Sequence, residues 1–267
     1  MIVVKKLFLA LGVTLVSCNF GNLKFMGDIE NDLKEVSAVE TITQSNLYWV
    51  IEDSGNDNVL YGLDGTGNLI SEVRILNSKN KDWEDLTSDN LGNIYIGDFG
   101  NNSKKRKKFQ IYKVTNPEGK TETTAEVVEF KLPKKMKSED FEAFFLYQNY
   151  FYIFSKEKKS AVMIKVKNEI GEQKAKFVTK FKLKEKKTKI TSADISKDGK
   201  TVVLLNHDKL WKLSHYSEDN FFTGDIEKIL FKHDSQKEGL CFKNDTIIIT
   251  DERNGSEGGN MYQIQLK

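Results

Sequence analysis

Residues 82–102 read DWEDLTSDNLGNIYIGDFGNN, and the fold is decided by how this stretch is read. Trp83 to Thr87 alternates bulky apolar residues with acidic or polar ones. Ser88 to Asn93 is rich in turn formers, and Ile94, Tyr95 and Ile96 are strand formers. The pattern predicts one β-hairpin. Folding it about the turn brings the Glu84 end of one strand beside the Asp98 end of the other. Like charges opposed across an antiparallel pair are destabilising, so the junction calls for a cation, a basic partner or open water. It is the foremost site candidate in the chain.

Working outward, the hairpin recurs. Its first strand has counterparts in VSAVETI (36–42), DFEAFFL (140–146), TSADISK (191–197) and QKEGLCF (236–242). Each is followed after a short turn by an apolar strand: LYWVIED, NIYIGDF, YFYIFSK, TVVLLNH and TIIITDE. A third strand follows each: NVLYGLD, FQIYKV, AVMIKV, KLWKLS and MYQIQL. In the first four units a fourth amphipathic run follows: SEVRIL, EVVEFKL, FVTKFKL and EKILFK. Units begin near residues 36, 82, 140, 190 and 236, a period of about 46 to 58 residues. A four-stranded unit repeated at that period predicts an all-β chain folded as a β-propeller of five blades. Sustained 3.6-residue periodicity is nearly missing, so helices should be few. Six blades is the alternative, requiring a further blade within residues 103–139 or 156–190. The last unit has three strands, and residues 22–29 (NLKFMGDI) are the candidate for its outer strand, which would close the ring and remove an open edge.

The N-terminus predicts export. Lys5-Lys6 precedes the apolar run LFLALGVTLV and then Ser17-Cys18, too short a run to span a bilayer. The ending Leu15-Val16-Ser17-Cys18 resembles the bacterial lipobox, which implies cleavage before Cys18 and acylation of its thiol. Residues 1–17 are then the signal, 18–32 a lipidated tether carrying the closing strand, and 33–267 a single propeller domain. The expectation is a protein held at the periplasmic or cell-surface face of a bacterial membrane. Loss of the leader removes Lys5 and Lys6 and leaves 39 basic against 39 acidic side chains. A balanced surface gives no field toward nucleic acid or anionic lipid, and a monomer is expected. Cys241 is left without a disulfide partner, in an apolar strand pattern that reads as a buried inert thiol.

In a propeller the first strand of each blade lines the axis and the second runs back, so the start of one and the end of the other share a face. The first position offers Ser37, Glu84, Glu142, Ala193 and Glu238, with Asp85 and Asp194 one residue on. The ends of the second strands offer Glu52-Asp53, Asp98, Ser155-Lys156, Asn206-His207 and Asp251-Glu252, with Arg253 beyond. These groups should form an acidic ring at one mouth of the channel, with Trp83 beside it. One reading is solvated rim charge and carboxylates capping turn N–H groups. A second is a hard cation, Ca2+, on Glu84, Asp98, Glu142, Glu238 and Asp251, although EF-hand spacing is missing. A third is catalysis by Glu84, Glu142 and Glu238, with Glu84–Asp98 and Glu238–Asp251 as acid–base pairs. Asp53, Trp83, Asp85, Lys156, Asp194, His207 and Arg253 would line the mouth for a ligand, the basic ones either as salt-bridge partners or as grips for an anion. The run Lys104-Lys105-Arg106-Lys107-Lys108 reads as a solvated hairpin loop or as a contact for phosphate or anionic glycan. HExxH, GxSxG, P-loop and Rossmann patterns do not occur.

With KEVSAVE, VIEDSGNDNVLYGLDGTGNL, DWEDLTSDNLGNIYIGDFGNN, DFEAFF, IFSKE, TSADISKDGKTVVLL, EGLCF and IIITDE in view, the chain resembles bacterial propeller lipoproteins grouped as SdiA-regulated-type or phytase-esterase-like propellers. The resemblance covers nearly all of residues 33–267. It implies an extracytoplasmic propeller with an acidic mouth, calcium binding and, more distantly, ester or phosphoester hydrolysis. Ser37 and Ala193 depart from the Glu of the other blades, which leaves any metal ring incomplete. Two expectations follow: a lipoprotein that binds a ligand or partner at the mouth with a calcium ion, or a metal-dependent hydrolase acting there.

Overall fold

Each group of four apolar runs forms one sheet, and the five sheets stand around a common axis. The computed structural model describes residues 20–43, 45–157, 160–183, 188–255 and 257–266. From inner to outer strand, blade one is Val36–Glu40, Tyr48–Glu52, Val59–Leu63 and Leu69–Ile75. Blade two is Trp83–Ser88, Asn93–Asp98, Phe109–Thr115 and Glu126–Lys131. Blade three is Phe141–Tyr147, Tyr150–Ser155, Ala161–Lys167 and Lys176–Phe181. Blade four is Ala193–Ile195, Thr201–Asn206, Lys209–Ser214 and Asp225–Leu230. Blade five takes Lys237–Lys243, Thr246–Asp251 and Asn260–Gln265 from the end of the chain and Lys24–Asp28 from its start. Lys24 pairs with Gln263 and Asp28 with Asn260, so the expected closing strand shuts the ring. The chain is an all-β propeller of five blades, and the expected leader and Cys18 lie outside the described residues.

The near-continuous apolar second strands follow from this packing, because both faces of every blade are covered. Five clusters fill the five gaps between blades. Ala38, Trp49 and Ile51 meet Trp83, Ile94 and Ile96 between blades one and two, and Val39 and Val50 meet Cys241 and Ile248 between blades one and five. Phe144 and Ile153 face blade two, whereas Phe145 and Phe154 face blade four. Each fully buried Leu, Ile or Phe contributes about 1.5–3 kcal/mol.

The long insertions noted in the sequence make no sixth blade. Glu122–Thr123, from the loop before the outer strand of blade two, lies parallel to Arg74 and Ile75 on the outer edge of blade one. Gly171–Lys174, from blade three, lies parallel to Val128–Lys131 on the outer edge of blade two. Among the described residues, one short 3-10 turn at Phe221–Thr223 is the helical content.

Candidate functional site

The hairpin at residues 83–98 has a bulge where its strands meet the mouth. Trp83 pairs with Asp98 and Asp85 with Gly97, which leaves Glu84 as the extra residue. The same break lies at Ser37, Glu142 and Glu238 in blades one, three and five. A bulge re-aims a side chain and sharpens the local twist, so three blades turn a glutamate toward the axis. Blade four differs from the sequence reading. Ser37 Oγ donates to Trp83 O at 3.0 Å and Thr191 Oγ1 donates to Lys237 O at 2.8 Å, equivalent contacts to the next blade. Thr191, not Ala193, is thus the counterpart of Glu84.

The three glutamates do come together. Glu84, Glu142 and Glu238 are 7%, 2% and 6% exposed, which closes the mouth rather than leaving a cleft. The Lys156 ammonium lies among them and donates to Glu142 Oε2 at 2.7 Å. Burial works against its charge, but Glu238, Glu142 and Glu84 outweigh it and raise its pKa. Burial pushes Glu84 well up, helped by the charges of Glu142 and Asp53, and the Glu84 carboxyl is within hydrogen-bond reach of Glu142. Burial likewise takes Glu142 up to about 8 against the pull of Lys156, and Glu238 up to about 7. Glu142 Oε1 is buried with no donor. Two carboxylates in contact require a proton or a cation between them. His207 Nε2 stands 3.6 Å from Glu238 Oε1. Burial, with the charge of Lys156, brings His207 down to about 4, so at neutral pH the contact is not an ion pair.

On the rim between blades one and two, Asp53, Asp82 and Glu84 each place a carboxylate oxygen within 4.8 Å of the others. Asp53 follows the second strand of blade one, and Asp82 precedes the inner strand of blade two. Gly100 forms the wall: a Cβ there would lie 1.9 Å from Glu84 Oε1 and 2.5 Å from Asp82 Cγ. The glycine of DFGNN therefore makes room for two acids. Burial and the charge of Asp53 push Asp82 up to about 6. Glu252, half-buried at the same mouth, is raised to about 7 by burial and then by Asp53. An all-oxygen set suits a hard divalent cation such as Ca2+. Asp82 heads the quoted hairpin DWEDLTS but is not among the site residues that the sequence reading singles out. Its spacing of two from Glu84, which places both on one side of a strand, is the signal that was there.

Several expected site residues face elsewhere. Asp98 is fully buried and accepts from Arg106 Nη2 at 2.7 Å, so the hairpin junction has the basic partner it needed and no Glu84–Asp98 pair forms. Asp251 accepts from Ser235 Oγ, from Tyr262 OH at 2.9 Å and from Asn260 N at 2.7 Å, within its own blade and not beside Glu238. Arg253 donates to Ile29 O at 2.7 Å and clasps the closing segment. Trp83 is fully buried between blades one and two instead of lining the mouth. The basic loop is largely paired: Lys104 with Glu139 and Glu157, Lys108 with Glu129.

Asp85 and Asp194 serve the next blade along. Inner strands splay at the axis, and their N–H groups bond to side chains of the preceding blade. Asp85 accepts from Phe144 N at 2.9 Å, Thr87 Oγ1 from Leu146 N, Ser192 Oγ from Leu240 N, and Asp194 from Phe242 N at 2.7 Å. Asp85 also accepts from Ser192 Oγ, Leu86 N and Ala193 N, and so joins blades two, three and four. The shift in blade four puts Asp194 level with Glu40 and Thr87, toward the opposite mouth. Cys241 is buried there, its thiol pKa pushed well up by burial, as expected of an inert side chain.

No family model and no curated protein matches the chain. Solved structures do. The β-propeller domain of Swd1 (Cps50) from Myceliophteria thermophila superposes with a TM-score of 0.53 at 9% identity, covering 92% of this chain and 100% of that one. The PQQ-bound aldose sugar dehydrogenase of Streptomyces coelicolor gives 0.54 at 8% identity, over 92% and 98%. A chain of the nidogen/laminin complex gives 0.51 at 9% identity, over 86% and 84%. At such identities the likeness is one of fold, and the fold it identifies is the β-propeller.

Proposed function

We propose that this chain is an envelope lipoprotein of the SdiA-regulated type, tethered through acylated Cys18, whose acidic mouth holds a calcium ion and presents it to a ligand or partner. The observation that carries this reading is the convergence of Asp53, Asp82 and Glu84 on one point, beside the donorless Glu142 Oε1. These groups would supply oxygen ligands, and the cation would take the place of the proton that the Glu84–Glu142 contact otherwise requires. The lipobox-like Leu15-Val16-Ser17-Cys18 supports the tether. Burial of the three glutamates around Lys156 favours binding over hydrolysis, since hydrolysis needs an open cleft with paired carboxylates.

Thermal melts with and without calcium test the site. At calcium a hundredfold above Kd, binding adds about 2.7 kcal/mol, which raises Tm by about 5–10 °C for a domain of this size. Glu84→Gln should abolish the rise. A wild-type Tm indifferent to calcium, or an equal rise in the variant, defeats the assignment. Incorporation of labelled palmitate, lost in Cys18→Ala, tests the tether separately.

A further inference from the structure

Asp85 and its partners Ser192, Phe144 and Ala193 close the axis part-way along, which separates the acidic mouth from the opposite one. At that opposite mouth the five inner hairpins open into a funnel of about 640 Å³. All five blades line it, through Glu40, Ser88, Leu146, Asp194 and Phe242 among others. The volume falls in the range of small-molecule sites, roughly 300–1,000 Å³, and is far more than a bare ion fills.

The lining sets the ligand's chemistry. Glu40, 4% exposed, and the half-buried Asp194 stand at the floor of the funnel. Beyond burial, the charges that act on Glu40 are those of Asp194 and Asp85, all of one sign. The cations of the lining stay at its edge. Lys243 Nζ donates to Tyr48 OH at 2.9 Å and lies 4.0 Å above that ring, and Lys197 is exposed. Asp89, the remaining acid of the lining, accepts from the side chains of Asn93 and Tyr95 and from Leu91 N, whereas Glu40 accepts from Thr41 N and Asp194 from Ile195 N and Phe242 N. Among the described residues, Glu40, Asp85 and Asp194 do not form a converging set of three oxygens as Asp53, Asp82 and Glu84 do, so the floor lacks the three-carboxylate geometry of the other mouth.

We propose that this funnel is a second binding site, for a small organic cation whose ammonium group is held between Glu40 and Asp194. The hydroxyl and amide groups of Ser88, Ser196, Asn149 and Asn244 receive the rest of the molecule. Burial and the charge of Asp194 raise the Glu40 pKa well above the carboxylate range, and burial takes Asp194 to about 7. An ammonium ion in the funnel supplies the missing countercharge. The site is independent of the calcium site on the other side of Asp85.

Calorimetric titration with spermidine at pH 8 and low salt is the test, with melting curves to confirm that each variant is folded. Saturable binding is expected, at least tenfold weaker in Glu40→Gln and lost in Asn90→Trp, which blocks the funnel from an exposed turn. Calcium should not displace spermidine. Absence of spermidine binding to the wild type, equal affinity in the folded variants, or equally potent displacement by uncharged glucose overturns the proposal. If Glu40→Gln does not fold, Asn90→Trp decides alone.

Discussion

Glu238 should make the propeller less stable as pH rises, the reverse of an ordinary paired carboxylate. Its pKa is raised by burial from 4.5 to about 7. A raised carboxyl favours folding fully below its unfolded pKa and loses that advantage as pH climbs through the folded one. The difference of about 2.5 units corresponds to about 3 kcal/mol lost between pH 4.5 and pH 8. Glutamine at this position cannot titrate. In chelator, the stability of Glu238→Gln should therefore fall by about 3 kcal/mol less than wild type over the same range, or about 6–12 °C in Tm. Lys156 remains charged throughout, so its contacts do not bend the comparison. Urea or thermal unfolding from pH 4.5 to 8.5 measures it. Parallel pH profiles for the two proteins would refute the reasoning, because they would mean that burial exerts no net penalty on this carboxylate.

Asp85→Ala strands the Phe144 and Ala193 N–H groups and the Ser192 hydroxyl. At about 1–3 kcal/mol for each unpaired donor, a loss of about 3–9 kcal/mol is expected in urea unfolding, with Asp85→Asn less affected. Gly100→Ala places a methyl 1.9 Å from Glu84 Oε1 and should weaken calcium binding at least tenfold by calorimetry while the fold persists by circular dichroism. Arg253→Ala frees Ile29 O, and faster amide hydrogen exchange across Lys24–Asp28 should appear before any large change in global stability.

The blade count and the closing strand were legible because a blade packed on both faces demands repeated apolar strands with turns between them, and a three-stranded last unit leaves an edge to be filled. The gathering of Glu84, Glu142 and Glu238 followed from the same repeat. What failed was register. In TSADISK, Ala193 was aligned with Glu84, whereas Thr191 occupies that place. The shift of two residues, about 7 Å along a strand, carries Asp194 toward the other mouth. Blade four keeps the bulge, with Thr191 N donating to Leu205 O at 3.1 Å and Leu205 N to Ser192 O at 2.8 Å, but the bulged residue is a threonine, so no acid marks its place in the sequence. The partners of Asp98 and Asp251 were hidden for another reason. A hairpin reading shows which carboxylates share an end of a sheet, but it does not show a loop arginine or a third-strand tyrosine reaching back to claim them.

The two parallel strips, Glu122–Thr123 and Gly171–Lys174, each spring from one blade and lie on the rim of the blade before it. They overlap in one rotational sense, like shingles, and so divide the circumference unequally. On the arc of blades one and two, the strips cover Arg74 and Ile75 at the end of one outer strand and Val128–Lys131 of the next. On the remaining arc, Lys176–Phe181, Asp225–Leu230 and Lys24–Asp28 have no further strand beside them among the described residues, with Phe177, Ile226 and Leu230 in the open. Among the described residues, the longer run of open edge for an added strand therefore lies on that flank.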